Sequence, residues 1–391
     1  MELLGSIPTL WTDLDFIAAR MPVQEMAVRK YLRQGKGLPT RVTLPKSVNA
    51  RYYLPRFITT RCKGLYELVV PSGLIGTTIL QAVSCATNLK TLTIGSECQI
   101  TGDTIEQLLE QCKALECVEF SGVTLLMGRP AQWKVDLPKL NSLVLAFTKT
   151  HRPGTTIQVV DLENLVKRIP NIRKLVIRSV WSLPIDGPGQ AARTPDFSGL
   201  IHLEVLDISG MIASRPPKFP LSLSSLNISD IESPVLEFAP SQFTKLTRLM
   251  VGNSYHMMLN VRKMLEANKG KLTHFDATGG LFEMELEELI TSGYFESVKE
   301  LKLGMCDFND DLAIILAKHV LSIKTLCLER TNITGVGVKA LVIALKDKLE
   351  FLRLDECYKC SADANDWALA TGVKTSFKFP DQRRGGRKVR Q

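Results

Sequence analysis

The sequence lacks the segments that mark a membrane or secreted protein. No apolar stretch approaches the roughly 20 residues that a membrane-spanning helix requires. The opening Met1–Gly5 has neither the basic start nor the apolar run of a secretory signal peptide. We therefore expect the nine cysteines to lie in a reducing compartment, the nucleus or the cytoplasm.

The sequence is also poor in catalytic patterns. No P-loop occurs, and the five histidines show neither the H-x-x-x-H spacing nor a triad motif. They are His151, His202, His256, His274 and His319. We therefore predict no catalytic residues, no cofactor-binding residues, no metal site and no enzyme activity in this chain.

Two short motifs have alternative explanations. The pattern Gly335-x-Gly337-x-x-Ala340 superficially matches a dinucleotide fingerprint, but no acidic residue follows at the βαβ distance, and 334–345 reads as one loop and helix of a repeat. Cys357 and Cys360 form a C-x-x-C pair without the second pair that zinc usually needs. We favour structural roles for both motifs.

Basic charge is concentrated at the C-terminus. Of the net charge of +9, residues 381–391 carry +4, from five basic groups and one Asp. The remaining +5 is too mild to indicate a nucleic-acid-binding body. The tail is either a solvated segment or a nuclear-import or nucleic-acid contact. Its basic residues are Arg383, Arg384, Arg387, Lys388 and Arg390.

A repeated phrase organises the chain. Leu349–Leu354, followed by Cys357, reads L-x-x-L-x-L-x-x-C, and the same phrase starts at 323 and 298, in steps of 26 and 25 residues. Less regular copies start at 40, 65, 89, 115, 140, 172, 203, 223, 246 and 272. Phrase and period resemble the leucine-rich repeat, which places one strand and one helix in each repeat.

The repeats predict an α/β leucine-rich-repeat solenoid, a horseshoe of about 12–13 repeats with a helical N-terminal cap. We divide the chain into a cap at 1–37, a solenoid at 38–375 and a C-terminal strand end with a basic tail at 376–391. Repeats 125–245 are irregular. Pro-rich stretches at 152–154, 184–195 and 215–220 predict extended back faces and protruding loops.

The N-terminus carries a second resemblance. Residues 6–16 contain P-x-L-W-x-x-L-x-F, which is similar to the closing segment of an F-box, and cysteine-closed helices such as the one ending at Cys112 resemble the cysteine-containing repeats of fungal F-box proteins. The resemblance implies an F-box truncated to its C-terminal end. Its adaptor-docking remnant would be Pro8, Leu10, Trp11 and Leu14.

The resemblance implies a protein-binding module, a substrate-recognition subunit of an SCF-type (cullin–RING) ubiquitin ligase. Its partners would be a protein substrate and, if the box is present upstream, a Skp-type adaptor and cullin. The alternative is a leucine-rich-repeat scaffold or inhibitor without a functional F-box. We expect no membrane partner, and nucleic acid only through the basic tail.

Phrase positions 3, 5 and 7 predict the binding surface, because strand residues alternate and positions 4 and 6 fill the core. In a horseshoe the outward positions line the concave face. The candidates are Lys174, Arg178, Asp207, Arg248, Met250, His274, Asp276, Glu300, Lys302, Glu329, Phe351, Arg353 and Asp355. A mixture of Arg, Met and Phe with other charged side chains of both signs is typical of protein-binding surfaces.

Overall fold

The chain forms two compact units, Met1–Ser222 and Leu223–Gln391. The computed structural model describes residues 13–15, 40–43, 64–70, 76–83, 86–96, 98–125, 133–147, 159–178, 196–211, 217–231, 243–253 and 258–378. Among these residues, no helix combines the length and the apolar character needed to cross a membrane.

Unit 1 is a parallel sheet with helices between its strands. The strands are β1 (Asp13–Asp15), β2 (Arg41–Thr43), β3 (Glu67–Val70), β4 (Thr91–Ile94), β5 (Gln99–Ile100), β6 (Cys117–Leu125), β7 (Ser142–Phe147), β8 (Lys174–Arg178) and β9 (Val205–Asp207). They pair in chain order, except that β4 pairs with β6, and β5 pairs with the far end of β6. The helices are α1 (Gly76–Val83), α2 (Gly102–Gln111) and α3 (Val159–Arg168).

The core of unit 1 is a stack of position-4 side chains. Leu68, Leu92, Val118, Leu143 and Leu175 are register partners on successive strands, and each is at most 1% exposed. Every repeat therefore contributes one apolar side chain to a continuous core, which a single repeat could not bury alone.

Helix α2 shows how a repeat begins and ends its helix. Thr101 caps it by accepting the N–H of Thr104 at 3.1 Å, and Ile105 and Leu108 face the core. Cys112 ends it, fully buried, with its thiol directed at the carbonyl of Val83, 3.9 Å away in the preceding repeat. The predicted cysteine end of this helix is confirmed.

In the described residues of the irregular part of unit 1, extended segments take the place of the helix that other repeats have. Asp196 and Lys218 form a parallel bridge, and Phe197 and Phe219 stack with ring centroids 6.5 Å apart. An aromatic contact between extended segments thus packs the repeat beginning at 203, which is too short for a helix. The Pro-rich stretches 152–154 and 184–195 lie outside the described residues, as do 215–216 of the third.

Unit 2 repeats the plan with greater regularity. Its strands, parallel and paired in chain order, are β10 (Ser225–Asn227), β11 (Arg248–Met250), β12 (His274–Asp276), β13 (Glu300–Lys302), β14 (Thr325–Cys327), β15 (Phe351–Arg353) and β16 (Lys374–Ser376). Its helices are α4 (Met258–Ala267), α5 (Glu283–Thr291), α6 (Asp310–His319), α7 (Gly335–Ala344) and α8 (Ala362–Ala370).

A left-handed residue follows each of the strands β10–β15 at phrase position 8. In unit 2 these residues are Asp230, Asn253, Gly279, Met305, Arg330 and Glu356, with φ between 53° and 73°. Their N–H groups donate to the next repeat; that of Met305, for example, reaches the carbonyl of Glu329 at 2.7 Å. The turn extends the backbone ladder beyond the short strands, so non-glycine residues tolerate an unfavourable conformation.

Thirteen strands, β2–β4 and β6–β15, coincide with the thirteen predicted phrases. The α/β leucine-rich-repeat solenoid is therefore confirmed as the fold class. The strand predicted after the last helix is β16. At the other end Asp13–Asp15 form a strand that pairs with β2, where we expected helices, and the predicted helix at 25–34 lies outside the described residues. The division at 37 and 375 stays a prediction.

Candidate functional site

The unit 2 strand face is the surface formed by phrase positions 3, 5 and 7 of β10–β16. Position 4 points the other way: Leu249, Phe275 and Leu301 are at most 1% exposed. The side chains on either side of them along each strand stand outward and are mostly half-buried or exposed. Because register partners lie directly beside one another on neighbouring strands, residues far apart in sequence form contiguous columns.

Four predicted residues form a central ion-pair cluster, His274, Asp276, Glu300 and Lys302. Lys302 Nζ lies 2.9 Å from Glu300 Oε1 and 3.8 Å from Asp276 Oδ2. Glu300 Oε2 lies 3.3 Å from His274 Nε2. Partial burial alone would raise the pKa of Glu300, but the hydrogen bond and charge of Lys302 outweigh this and lower it. The cluster therefore keeps the Glu300 carboxylate ionised, and Lys302 is the cation that both carboxylates share.

Three other predicted residues form a distal cluster around Arg353. Its Nε lies 2.8 Å from Asp355 Oδ2 and 3.0 Å from Glu329 Oε2. Asp355 is 7% exposed and also accepts the hydroxyl of Ser376 at 2.8 Å. Burial would raise the pKa of Asp355, but the hydrogen bonds from Arg353 and Ser376 lower it instead. Asp355 is thus nearly inaccessible to a partner, and its role is to hold the Arg353 side chain in place.

The remaining predicted residues of unit 2 are Arg248, Met250 and Phe351. Arg248 is exposed, while Met250 and Phe351 are half-buried. Among the residues that the structure describes, no carboxylate lies within ion-pair distance of the Arg248 guanidinium. These three side chains are therefore more available to a partner than the clustered charges.

Unit 1 holds the other three predicted residues. Lys174 is exposed on β8. Arg178 donates two hydrogen bonds to Asp207 Oδ2, at 2.9 and 2.7 Å, and Asp207 is only 5% exposed. Asp207 also accepts the N–H of Ser209 at 3.0 Å, so it stabilises the end of its own strand. Lys174 and Arg178 remain the exposed members.

Sequence reasoning missed two face residues, Lys374 and Lys378. Lys374 is the register partner of Phe351 on β16, and both lysines are exposed. The segment was predicted only as a terminal cap. Polar side chains alternate at 374, 376 and 378, which are the positions that face outward on a strand in register with β15. This alternation is the pattern from which the two lysines could have been predicted.

The glycines of Gly335-x-Gly337 have a packing role. A Cβ atom at Gly337 would lie 2.8 Å from the Ile333 side chain, so glycine permits the close approach of α7 to its neighbours. Asp310 Oδ1 accepts the N–H groups of Thr334 and Gly337 at 2.8 and 3.0 Å. A carboxylate of the chain itself thus occupies the helix end where a phosphate would bind.

The C-x-x-C pair is built into the core. Cys357 fills phrase position 9, where its thiol donates to the carbonyl of Leu328 at 2.9 Å, and Cys360 is 3% exposed. Burial raises the pKa of both thiols, that of Cys360 to about 11. Within the described part of the chain, no three His, Cys, Asp or Glu side chains cluster closely enough to hold a metal ion.

The predicted adaptor-docking and tail residues are mostly beyond the described ranges. Pro8, Leu10 and Trp11 and the basic residues 383–390 lie outside them, and Leu14 is described only as the middle residue of β1. Their roles stay predictions.

No protein-family model matches this chain, and a search of curated proteins finds no match. Several solved structures are similar. An internalin from Listeria monocytogenes is 13% identical with a TM-score of 0.47, over 91% of this chain and 94% of that chain. A chain of the yeast Rad7–Elc1 complex is 14% identical with a TM-score of 0.48, over 88% and 77%. A chain of the mouse RP105/MD-1 complex is 13% identical with a TM-score of 0.43, over 90% and 74%.

Proposed function

We propose that this chain is a protein-binding module and that the unit 2 strand face is its binding surface. One observation carries the proposal: seven parallel strands place Arg248, Met250, Phe351 and two ion-pair clusters on one continuous face. Arg and aromatic side chains contribute disproportionately to the free energy of protein association. Strands hold side chains more rigidly than loops, so a partner meets a preorganised surface.

The binding surface can be tested against the helix surface of the same unit. The combined substitution Met250→Glu and Phe351→Glu changes the strand face, whereas Ile343→Glu changes an exposed apolar residue on α7. We expect affinity purification from cells to lose a specific set of proteins only with the face variant, with the melting temperatures of all three chains alike. Equal recovery by all three would refute the assignment of the face.

We further propose that the module serves as the substrate-recognition subunit of a ubiquitin ligase. The support is the similarity of residues 6–16 to the end of an F-box. Such a subunit acts by proximity, because it raises the effective concentration of target lysines near the ubiquitin-loaded conjugating enzyme. The test is binding of a purified Skp-type adaptor, measured by calorimetry, to this chain and to its Trp11→Ala variant.

A scaffold without ligase function is the alternative, and one contact favours it. Asp13–Asp15 pair with β2, and Arg41 lies 3.5 Å from Asp13 and 3.0 Å from Glu67. Three of the residues that resemble an F-box end, 13–15, thus form a strand that pairs with β2. Adaptor binding that Trp11→Ala weakens supports the ligase; no adaptor binding, with face-dependent partners retained, supports the scaffold.

A further inference from the structure

Each negative charge of the unit 2 strand face is paired with a cation of the same face. Four carboxylates stand at its outward positions, on Asp276, Glu300, Glu329 and Asp355. Lys302 pairs with the first two and Arg353 with the other two, at 2.8–3.8 Å. A partner gains little from these charges, because using them means breaking an existing pair.

The positive charges exceed the negative ones on the same face. Arg248, Lys374 and Lys378 have no carboxylate within ion-pair distance among the described residues. The pKa of His274 is lowered, first by partial burial and then by the charge of Arg248, while Glu300 beside it acts in the opposite direction. The unpaired charge that the face offers to a partner is therefore positive.

Each end of the face combines a cation with an apolar side chain. Arg248 and Met250 are two residues apart on β11, so both point outward. Phe351 on β15 is the register partner of Lys374 on β16. We call these the β11 anchor and the β15–β16 anchor. The central cluster lies between them, and its two carboxylates are both paired with Lys302.

The separation of the anchors sets the length of what could bind both. From β11 to β15 or β16 there are four or five steps between neighbouring strands, each about 4.8 Å, which gives roughly 19–24 Å. An extended chain advances about 3.3 Å per residue, so about six or seven residues cover that distance.

We propose that the partner of this face is a linear acidic segment that crosses the strands, with an Asp or Glu beside an apolar residue at each anchor and about six residues between. The inference rests on the proposed protein-binding function and specifies the chemistry of its ligand. A basic or uncharged segment would leave Arg248 and Lys374 without counter-charges and would bind less tightly.

The test is a random 16-residue peptide library displayed on phage and selected on the full chain. We expect enrichment of peptides with two acidic residues five to eight positions apart, each next to a hydrophobic residue. The best peptide, made synthetically, should bind Arg248→Glu about tenfold more weakly, whereas Lys346→Glu, an equal charge change outside the face, should leave its affinity unchanged. Replacing the acidic residue of the peptide that faces the β11 anchor by Lys should restore its binding to the Arg248→Glu chain, because the two charges at that anchor are then exchanged.

The outcomes separate this inference from the proposed function. Selected peptides without acidic residues, whose binding is lost with Met250→Ser or Phe351→Ala, would overturn the acidic segment and leave the face as a binding surface. Peptides insensitive to all the face substitutions would count against both. Failure to enrich any peptide would show that the face does not bind a linear segment, and it would overturn this inference alone.

Discussion

Asp310 and Thr334 connect two successive repeats through two hydrogen bonds to one carboxylate, which also accepts a third from Gly337. Asp310 Oδ1 accepts the backbone N–H of Thr334 and also that of Gly337, while Oδ2 accepts the Thr334 hydroxyl at 2.6 Å. The first residue of α6 thereby caps α7, and the contact fixes one helix relative to the next.

Removing this carboxylate should loosen the repeat. We expect Asp310→Ala to lower the free energy of unfolding by about 1–3 kcal/mol, because partly buried donors lose their acceptor. Asp311→Ala, one residue along and exposed, should cost only a few tenths of a kcal/mol through the helix dipole. Urea unfolding of both variants measures the difference, and equal losses would contradict the capping role.

The left-handed turn at position 8 gives a second prediction. Gly279 has φ 73°, and a Cβ atom there would meet the Asn253 side chain, whereas Gly270 has φ 75° and open space around it. Alanine at either site incurs the backbone penalty of about 1–2 kcal/mol. We expect Gly279→Ala to cost more than Gly270→Ala in thermal unfolding. A reversed order would show that Asn253 moves aside freely.

The sequence was sufficient to place the repeats because each copy carries its own signal. Thirteen phrases locate thirteen strands, and the helix predicted within 334–345 is α7, Gly335–Ala344. Position 8 could not be recognised in this way. Its occupants in unit 2 include Asp, Met, Arg and Glu, which share no preference for positive φ, and the conformation follows from hydrogen bonds to the next repeat.

The sequence also identified the outward residues but not their pairing. Asp207 and Asp355 stand at outward positions, yet each is buried against an arginine and a second hydrogen-bond donor. Which charges neutralise each other depends on the register between repeats and on side-chain rotamers, and neither is encoded in the spacing of the phrase. The distinction between paired and unpaired cations therefore needed the structure.

The buried cysteines predict a loss of stability at high pH. Burial raises the pKa of Cys112 to about 12, from the ordinary 9.0 expected in the unfolded chain. The folded state then holds its proton while the unfolded state releases it, so this contribution is complete below pH 9 and declines as the pH rises toward 12. We expect the free energy of unfolding to fall by about 1 kcal/mol per pH unit from this thiol alone.

Urea titrations between pH 8 and pH 11 measure that slope. The Cys112→Ala chain should be less stable at every pH but should show a shallower decline, because one titrating group is gone. A slope unchanged by the substitution would mean that Cys112 ionises in the folded chain as readily as in the unfolded one.

Charge reversal at two arginines should separate binding from folding. Arg353 lies between Glu329 and Asp355, so Arg353→Glu would place three carboxylates together where one is nearly buried. We expect a stability loss on the order of 1 kcal/mol, limited because the Arg353 side chain is 45% exposed to screening solvent. Arg248→Glu breaks no pair among the described residues and should leave the melting temperature within about 1 °C of the original.

Both variants should weaken partner binding, and only Arg248→Glu should do so without a change in melting temperature. Thermal unfolding beside a binding titration measures this, and equal destabilisation by the two substitutions would mean that Arg248 also supports the fold. Unchanged binding by Arg248→Glu, with its melting curve unchanged, would remove β11 from the binding surface.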